Sequence, residues 1–108
     1  MSNSIQKKKV AGSVEASKIH KANSQIVSEE HHSDNLESTL LVAEPHAEIG
    51  YSKRRVVGIG NFETVAVEIS VKMPCDPKDM KDTFKKAEAF VNDRLTLEVD
   101  DIQETFGV

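Results

Sequence analysis

Residues 64–73 alternate strictly between apolar and polar side chains, and this pattern constrains the fold more than any other feature of the chain. Val65, Val67, Ile69, Val71 and Met73 share one parity, and their neighbours are mostly polar. A period of two that is rich in β-branched residues predicts a β-strand with one buried face and one face in water. Such a strand is typical of an antiparallel sheet.

The residues that flank this strand carry turn and stop signals. Gly58, Gly60 and Asn61 cluster just before it. Gly and Asn tolerate the positive φ that tight hairpin turns need, so we expect a turn at about residues 60–62 and a preceding strand over residues 55–59. Pro74 is expected to end the second strand because proline lacks the N–H that the ladder needs.

The segment after Pro74 has the signals of a helix. Asp76 is suited to capping the first amides, and Pro77 suits the first helical position. Apolar residues recur at spacings of three and four, which predicts an amphipathic helix from Pro77 to at least Leu95, with an extension through residue 102. No role is assigned to Gly107. The predicted apolar stripe consists of Met80, Phe84, Ala87, Val91 and Leu95.

The chain has 108 residues, which is long enough for one domain. It contains a single cysteine, so no disulfide within the chain can stabilise it. Residues 49–108 are predicted to form a ββα core domain. Residues 1–48 are rich in polar and charged side chains and predict a flexible, disordered N-terminal arm.

The predicted fold class is α+β, an antiparallel β-hairpin packed on one C-terminal α-helix. A unit of this size buries little apolar surface alone, so we expect a homodimer in which two hairpins form a four-stranded sheet. An alternative is a monomer in which residues 39–42 supply a third strand.

The sequence also bears on compartment. No stretch approaches the roughly 20 apolar residues that a membrane span needs. The apolar run after Lys7, Lys8 and Lys9 is too short and polar for a signal peptide. A single cysteine fits a reducing compartment. We expect a cytoplasmic protein with no membrane association.

Charge is arranged in blocks of alternating sign, although the net charge is only −4. The last block is acidic and is expected to present carboxylates on the C-terminal helix. Such a surface can compete for the basic DNA-binding surface of another protein. The alternative is an ordinary solvated helix face. The predicted partner-binding residues are Glu88, Asp93, Glu98, Asp100, Asp101 and Glu104.

A basic block on the two predicted strands supports a second hypothesis. Its cations are expected to form a patch on the water-facing side of the sheet, where they could contact nucleic-acid phosphates. Aromatic platforms for base stacking are scarce, since Tyr51 and Phe62 are the candidates. The alternative role is solubility of the sheet. The predicted nucleic-acid-binding residues are Lys53, Arg54, Arg55 and Lys72.

The chain shows no motif for catalysis, a metal or a cofactor. His31 and His32 lie among carboxylates, but a metal site needs ligands on a rigid frame, and a solvated linker is the favoured interpretation. Cys75 precedes a helix start, where a thiolate is stabilised, but it has no partner such as a nearby histidine. We therefore expect a non-enzymatic protein with no cofactor and no metal.

Residues 56–97 resemble a small domain found in uncharacterised bacteriophage proteins. The resemblance rests on the run from Gly60 to Thr64, the alternation up to Pro74, and the helix that begins at Asp76 and Pro77.

The Lys- and Ser-rich arm before a small core is also similar to early host-takeover proteins of lytic phages. That resemblance implies an interaction protein that binds and inhibits a host nucleoid or transcription protein, such as the histone-like protein HU, in some cases as a DNA mimic. The net charge of −4 is mild for a mimic, so the basic blocks must lie away from the mimic surface.

Overall fold

The computed structural model describes residues 7–43 and 47–108, which form four antiparallel strands and one C-terminal helix. The sheet order is β2-β1-β4-β3, and every neighbouring pair is antiparallel. The α+β class with a C-terminal helix is therefore confirmed. The elements are β1 (Lys7–Ala22), β2 (Gln25–Ala43), β3 (Ala47–Gly60), β4 (Glu63–Cys75), a 3-10 turn (Pro77–Asp79) and α1 (Met80–Phe106).

The N-terminal part of the chain differs from the expected disordered arm, because residues 7–43 form β1 and β2. Residues 13–22 of β1 pair with residues 63–72 of β4, so one sheet includes strands from both sides of the boundary expected at residue 48. Residues 39–42 do form part of a strand, and their partner is β1. A single chain thus forms the four-stranded sheet that was expected from two copies. The homodimer stays a prediction.

The core lies between β4 and one side of α1. Val65, Val67, Ile69 and Val71 are each at most 1% exposed, which confirms the strand predicted by the alternation. We call the side of the sheet that α1 covers the helix face, and the opposite side the open face. The buried side chains of α1 are Thr83, Ala87, Val91, Leu95, Val99 and Ile102.

The predicted apolar stripe of the helix is correct from Ala87 onward and differs before it. Met80 and Phe84 are 44% and 42% exposed, and Thr83 is buried in their place. The Phe84 ring packs edge-on against Tyr51 on β3, with ring centroids 5.7 Å apart. Phe84 therefore contacts Tyr51 at the rim of the core.

Backbone geometry sets both ends of the helical segment. The Asp79 N–H donates to the Asp76 carbonyl at 2.9 Å, whereas the Asp76 side chain makes no capping hydrogen bond, contrary to the expectation. Gly107 has a φ of 68° and ends α1, and the Val108 N–H donates to the Gln103 carbonyl at 3.0 Å. A left-handed glycine is the usual stop of a helix, so Gly107 does have a role.

Two tight turns lie at the same end of the sheet, because Ala22 pairs with both Gln25 and Glu63. One turn is formed by residues 23 and 24, and the other by Asn61 and Phe62, which confirms the turn expected at residues 60–62. All four residues have positive φ, between 52° and 64°. This geometry matches the right-handed twist of the strands that it joins.

Phe62 is unfavourable for its position in two ways. Its φ is 61°, where a side chain with a Cβ is strained, and it is 94% exposed. Replacement Phe62→Gly is expected to raise the free energy of unfolding by about 1 kcal/mol, because it relieves the strain and removes almost no packing. Urea denaturation followed by circular dichroism measures the change.

The matched control is Phe62→Ala, which removes the exposed ring but keeps the Cβ. It should leave stability nearly unchanged. Equal stabilisation by glycine and alanine would show that the backbone strain at this turn is not the cause.

Candidate functional site

A groove runs along one side of α1. The helix lies over β3 and β4, so the helix face of β2 and part of β1 remain uncovered. The resulting concavity has a volume of about 570 Å³, within the range of ligand pockets. Val14 and Ala16 of β1 lie on its floor. Its walls include Phe90, Arg94 and Glu98 from α1, and Glu30, His32 and Asp34 from β2.

Lys18 bridges this groove and links β1 to α1. Its Nζ lies 3.3 Å from Glu98 Oε2 and 3.8 Å from Asp101 Oδ2. Glu98 also lies 3.7 Å from Arg94 Nε, one helical turn away. Glu98 is thus shared between Lys18 of β1 and Arg94 of α1.

Beyond Lys18, a smaller concavity of about 210 Å³ continues towards the end of α1. The His20 ring packs edge-on against Phe106, with ring centroids 5.5 Å apart. His20 Nε2 lies 3.4 Å from Glu63 Oε1, in an orientation that makes no hydrogen bond. This contact packs the last turn of α1 against β1.

The six carboxylates predicted on the C-terminal helix separate into different surroundings. Glu98 and Asp101 face the groove and Lys18. Helical periodicity puts Glu88 on the opposite flank, towards β3. The remaining three, Asp93, Asp100 and Glu104, are exposed.

Those three carboxylates share one stripe on the outer side of α1. At about 100° per residue, Asp93, Leu97, Asp100 and Glu104 lie opposite the buried stripe. Leu97 is 66% exposed. Within the described residues, no cation lies within ion-pair distance of Asp93, Asp100 or Glu104. We call these four residues the outer acidic stripe.

The predicted basic patch is divided between the two faces of the sheet. Successive residues of a strand point to opposite faces, so Lys53 and Arg55 lie on the helix face. Lys53 Nζ donates to Asn92 Oδ1 of α1 at 3.0 Å. Arg54 and Lys72 lie on the open face, where Arg54 is directly opposite Glu68.

The same alternation separates the two adjacent histidines of β2. His31 lies on the open face, with its Nε2 2.7 Å from Glu29 Oε1, and His32 lies in the groove. In the part of the chain that the structure describes, no three His, Cys, Asp or Glu side chains are close enough to hold a metal ion. Cys75 is buried at the end of β4, with 3% exposure.

Sequence reasoning missed the groove because it predicted a flexible arm for residues 1–48, and the groove is lined by residues of β1 and β2. Lys18 and Phe90 line the groove, and neither belonged to a predicted site. A weak signal was present: Val14 and Ala16 share a parity, and Asn23 can adopt the positive φ of a hairpin turn. The apolar alternation of β1 ends at Lys18, because α1 covers only part of the helix face of that strand.

Comparison with known proteins finds no matching family model, no matching curated protein and no matching solved structure. Among the described residues, no helix combines the length and the apolar character that crossing a membrane requires.

The ion pair between Lys18 and Glu98 is expected to stabilise the packing of β1 on α1. Its side chains are 29% and 27% exposed, so a double-mutant cycle with Lys18→Met and Glu98→Gln should give a coupling of about 0.5–1 kcal/mol. The free energy of unfolding of the four proteins measures it.

A second double-mutant cycle pairs Lys18→Met with Asp101→Asn. Its coupling energy should be smaller than that of the Glu98 cycle, because Asp101 is 66% exposed and lies farther from Lys18. A larger coupling for Asp101 than for Glu98 would contradict this assignment.

Proposed function

We propose that this protein is a non-enzymatic interaction protein that binds and inhibits a DNA-handling protein, with the outer acidic stripe of α1 as the contact surface. We further propose that the protein is phage-encoded and acts in the host cytoplasm on a nucleoid or transcription protein. The carboxylates take the place of DNA phosphates in the basic groove of the partner.

The observation that carries the proposal is that Asp93, Asp100 and Glu104 are exposed, aligned and without a cation partner among the described residues. Carboxylates that only keep a helix soluble are commonly balanced by cations one turn away. Here Arg94 contacts Glu98 on the groove side instead. The stripe therefore presents an unbalanced negative surface.

The length and the charge of the outer acidic stripe can be compared with those of one DNA strand. From Asp93 to Glu104 the helix rises about 16 Å, a length that holds about five phosphates of one DNA strand. Three carboxylates over that length give about half the charge density of the strand. Leu97 adds an exposed apolar contact in the middle. The surface suits a protein groove that binds a short stretch of backbone.

The position of three of the four predicted basic residues supports the same assignment. A mimic requires that basic side chains do not neutralise its surface. Arg54 and Lys72 lie on the open face, on the other side of the sheet from α1. Lys53 is bonded to Asn92 on the flank of the helix.

The test is a competition experiment with the nucleoid protein HU and a DNA duplex. Increasing amounts of the protein should abolish the mobility shift that HU gives. The variant Asp93→Asn, Asp100→Asn, Glu104→Gln should inhibit about ten- to a hundredfold more weakly, since each exposed ion pair contributes up to about 1 kcal/mol.

A matched control removes three carboxylates from the open face. Glu15, Glu48 and Glu68 are exposed there, and their replacement by Gln changes the net charge by the same amount. This variant should inhibit like the wild type. Equal loss in both variants would mean that net charge, and not the stripe, is responsible.

The same gel also tests the alternative of direct nucleic-acid binding. A mobility shift by the protein alone that weakens as the salt concentration rises would support direct nucleic-acid binding. The residues expected to bind are Lys53, Arg54, Arg55 and Lys72. If the protein alone gives no shift and the shift given by HU persists in its presence, DNA-handling proteins of this kind are removed from the proposal.

A further inference from the structure

The two edges of the sheet carry opposite charge. On the β2 edge, Glu29, Glu30 and Asp34 are exposed. On the β3 edge, Lys53, Arg54 and Arg55 are exposed. In the part of the chain that the structure describes, no strand pairs with the outer side of either edge. Such edges are open to pairing with another chain.

The charges match on each face separately. On the helix face, β2 presents Glu30 and Asp34, and β3 presents Lys53 and Arg55. On the open face, the corresponding residues are Glu29 and Arg54. If the β2 edge of one copy paired with the β3 edge of another, acidic and basic side chains would therefore face each other on both sides of the sheet.

The register of the sheet already puts one basic residue of β3 and one acidic residue of β2 at the same height. Arg55 is in one row with Val67, Lys18 and Glu30, since each is the paired partner of the next. Lys53 is likewise in one row with Ile69, Ala16 and His32. If a second copy extended the sheet with no shift along the strands, Arg55 of one copy would lie directly opposite Glu30 of the next.

Strand direction permits this extension. β2 and β3 run in opposite directions, because each neighbouring pair in the order β2-β1-β4-β3 is antiparallel. A copy displaced along the sheet therefore brings its β3 antiparallel to β2 of its neighbour. Both copies keep α1 on the same face, and the helix face of β2, which α1 does not cover, leaves room beside it.

Symmetric pairing of identical edges is disfavoured. A two-fold axis at His32 between two β2 edges would bring Glu30 opposite Asp34. A two-fold axis at Arg54 between two β3 edges would bring Lys53 opposite Arg55. Like charges on directly opposite cross-strand positions are destabilising, and opposite charges are stabilising.

We propose that the acidic β2 edge and the basic β3 edge form a head-to-tail interface between copies of this chain. An interface between two different edges does not close after two copies, so it produces rings or open chains of subunits. This arrangement differs from a two-fold dimer of hairpins. It does not use the outer acidic stripe, and two of its acidic residues, Glu30 and Asp34, also line the groove.

The first test is charge reversal on one edge at a time, measured by sedimentation velocity at low salt over a range of concentrations. The wild type should exceed twice the monomer mass of 11.9 kDa as concentration rises. The variant Glu29→Lys, Glu30→Lys, Asp34→Lys should be monomeric, and so should the variant Lys53→Glu, Arg54→Glu, Arg55→Glu.

An equimolar mixture of the two variants should assemble again, because each edge then meets the opposite charge on the other variant. This recovery also shows that both variants are folded. A wild type that stays monomeric, a mass that stops at two copies, or folded variants that do not assemble on mixing would overturn the proposal.

A second test needs no change of charge. Ser33 and Ser52 lie at the two edges in one row, through Glu15 and Ser70. In a Cys75→Ala background, Ser33→Cys with Ser52→Cys should give a ladder of disulfide-linked oligomers on oxidation. Within one chain the two positions are about 14 Å apart, too far for a disulfide.

The control is Ser33→Cys alone, which should give no ladder beyond a dimer. A double-cysteine protein that also gives no ladder would overturn the proposed register.

The result of the self-association tests can be distinguished from the result of the HU competition. Replacement of Asp93, Asp100 and Glu104 should weaken inhibition of HU and leave the assembled mass unchanged. Edge reversal should change the mass, whatever the result with HU.

Discussion

The fold depends on the contact between one face of β4 and one stripe of α1. Ile69 and Val91 are 0% exposed, and they lie at the centre of this contact. Removing such side chains from water supplies about 1.5–3 kcal/mol each, more than any hydrogen bond or ion pair in this protein is expected to contribute. The helix must therefore lie over β4 and β3, and the other elements are arranged around that position.

One consequence is that the sheet is covered on one side only, and only in part. α1 is a single helix, and four strands are wider than one helix. β2 accordingly has exposed, polar side chains on both faces over residues 25–35, apart from Ile26 and Val27 near the turn. Its position is held by the backbone ladder with β1, and Lys18 adds an ionic contact between that hairpin and α1. The groove is the space that the helix leaves.

The second consequence concerns charge. Because core packing occupies one stripe of α1, the opposite stripe is available for Asp93, Asp100 and Glu104, and the sheet separates these residues from Arg54 and Lys72. Of the two edge strands, β2 is exposed on both faces over residues 25–35, whereas β3 packs Val57 into the core and keeps residues 53–55 exposed. Their acidic and basic residues cannot neutralise one another within a chain, because two strands lie between them. The proposed partner surface and the proposed self-association surface both follow from this separation.

The sequence by itself determined the β3–β4 hairpin, its turn at residues 60–62, and the helix with Ala87, Val91 and Leu95 on its buried side. Each of these has a face that is apolar because it is buried, and a buried face leaves a period in the sequence. Only the tertiary structure decided that residues 7–43 are strands, that Glu98 and Asp101 meet Lys18, and that the basic residues divide between two faces. Residues 25–35 of β2 are exposed on both faces and carry no apolar period, and charged side chains find their partners through pairings across the sheet that composition does not encode.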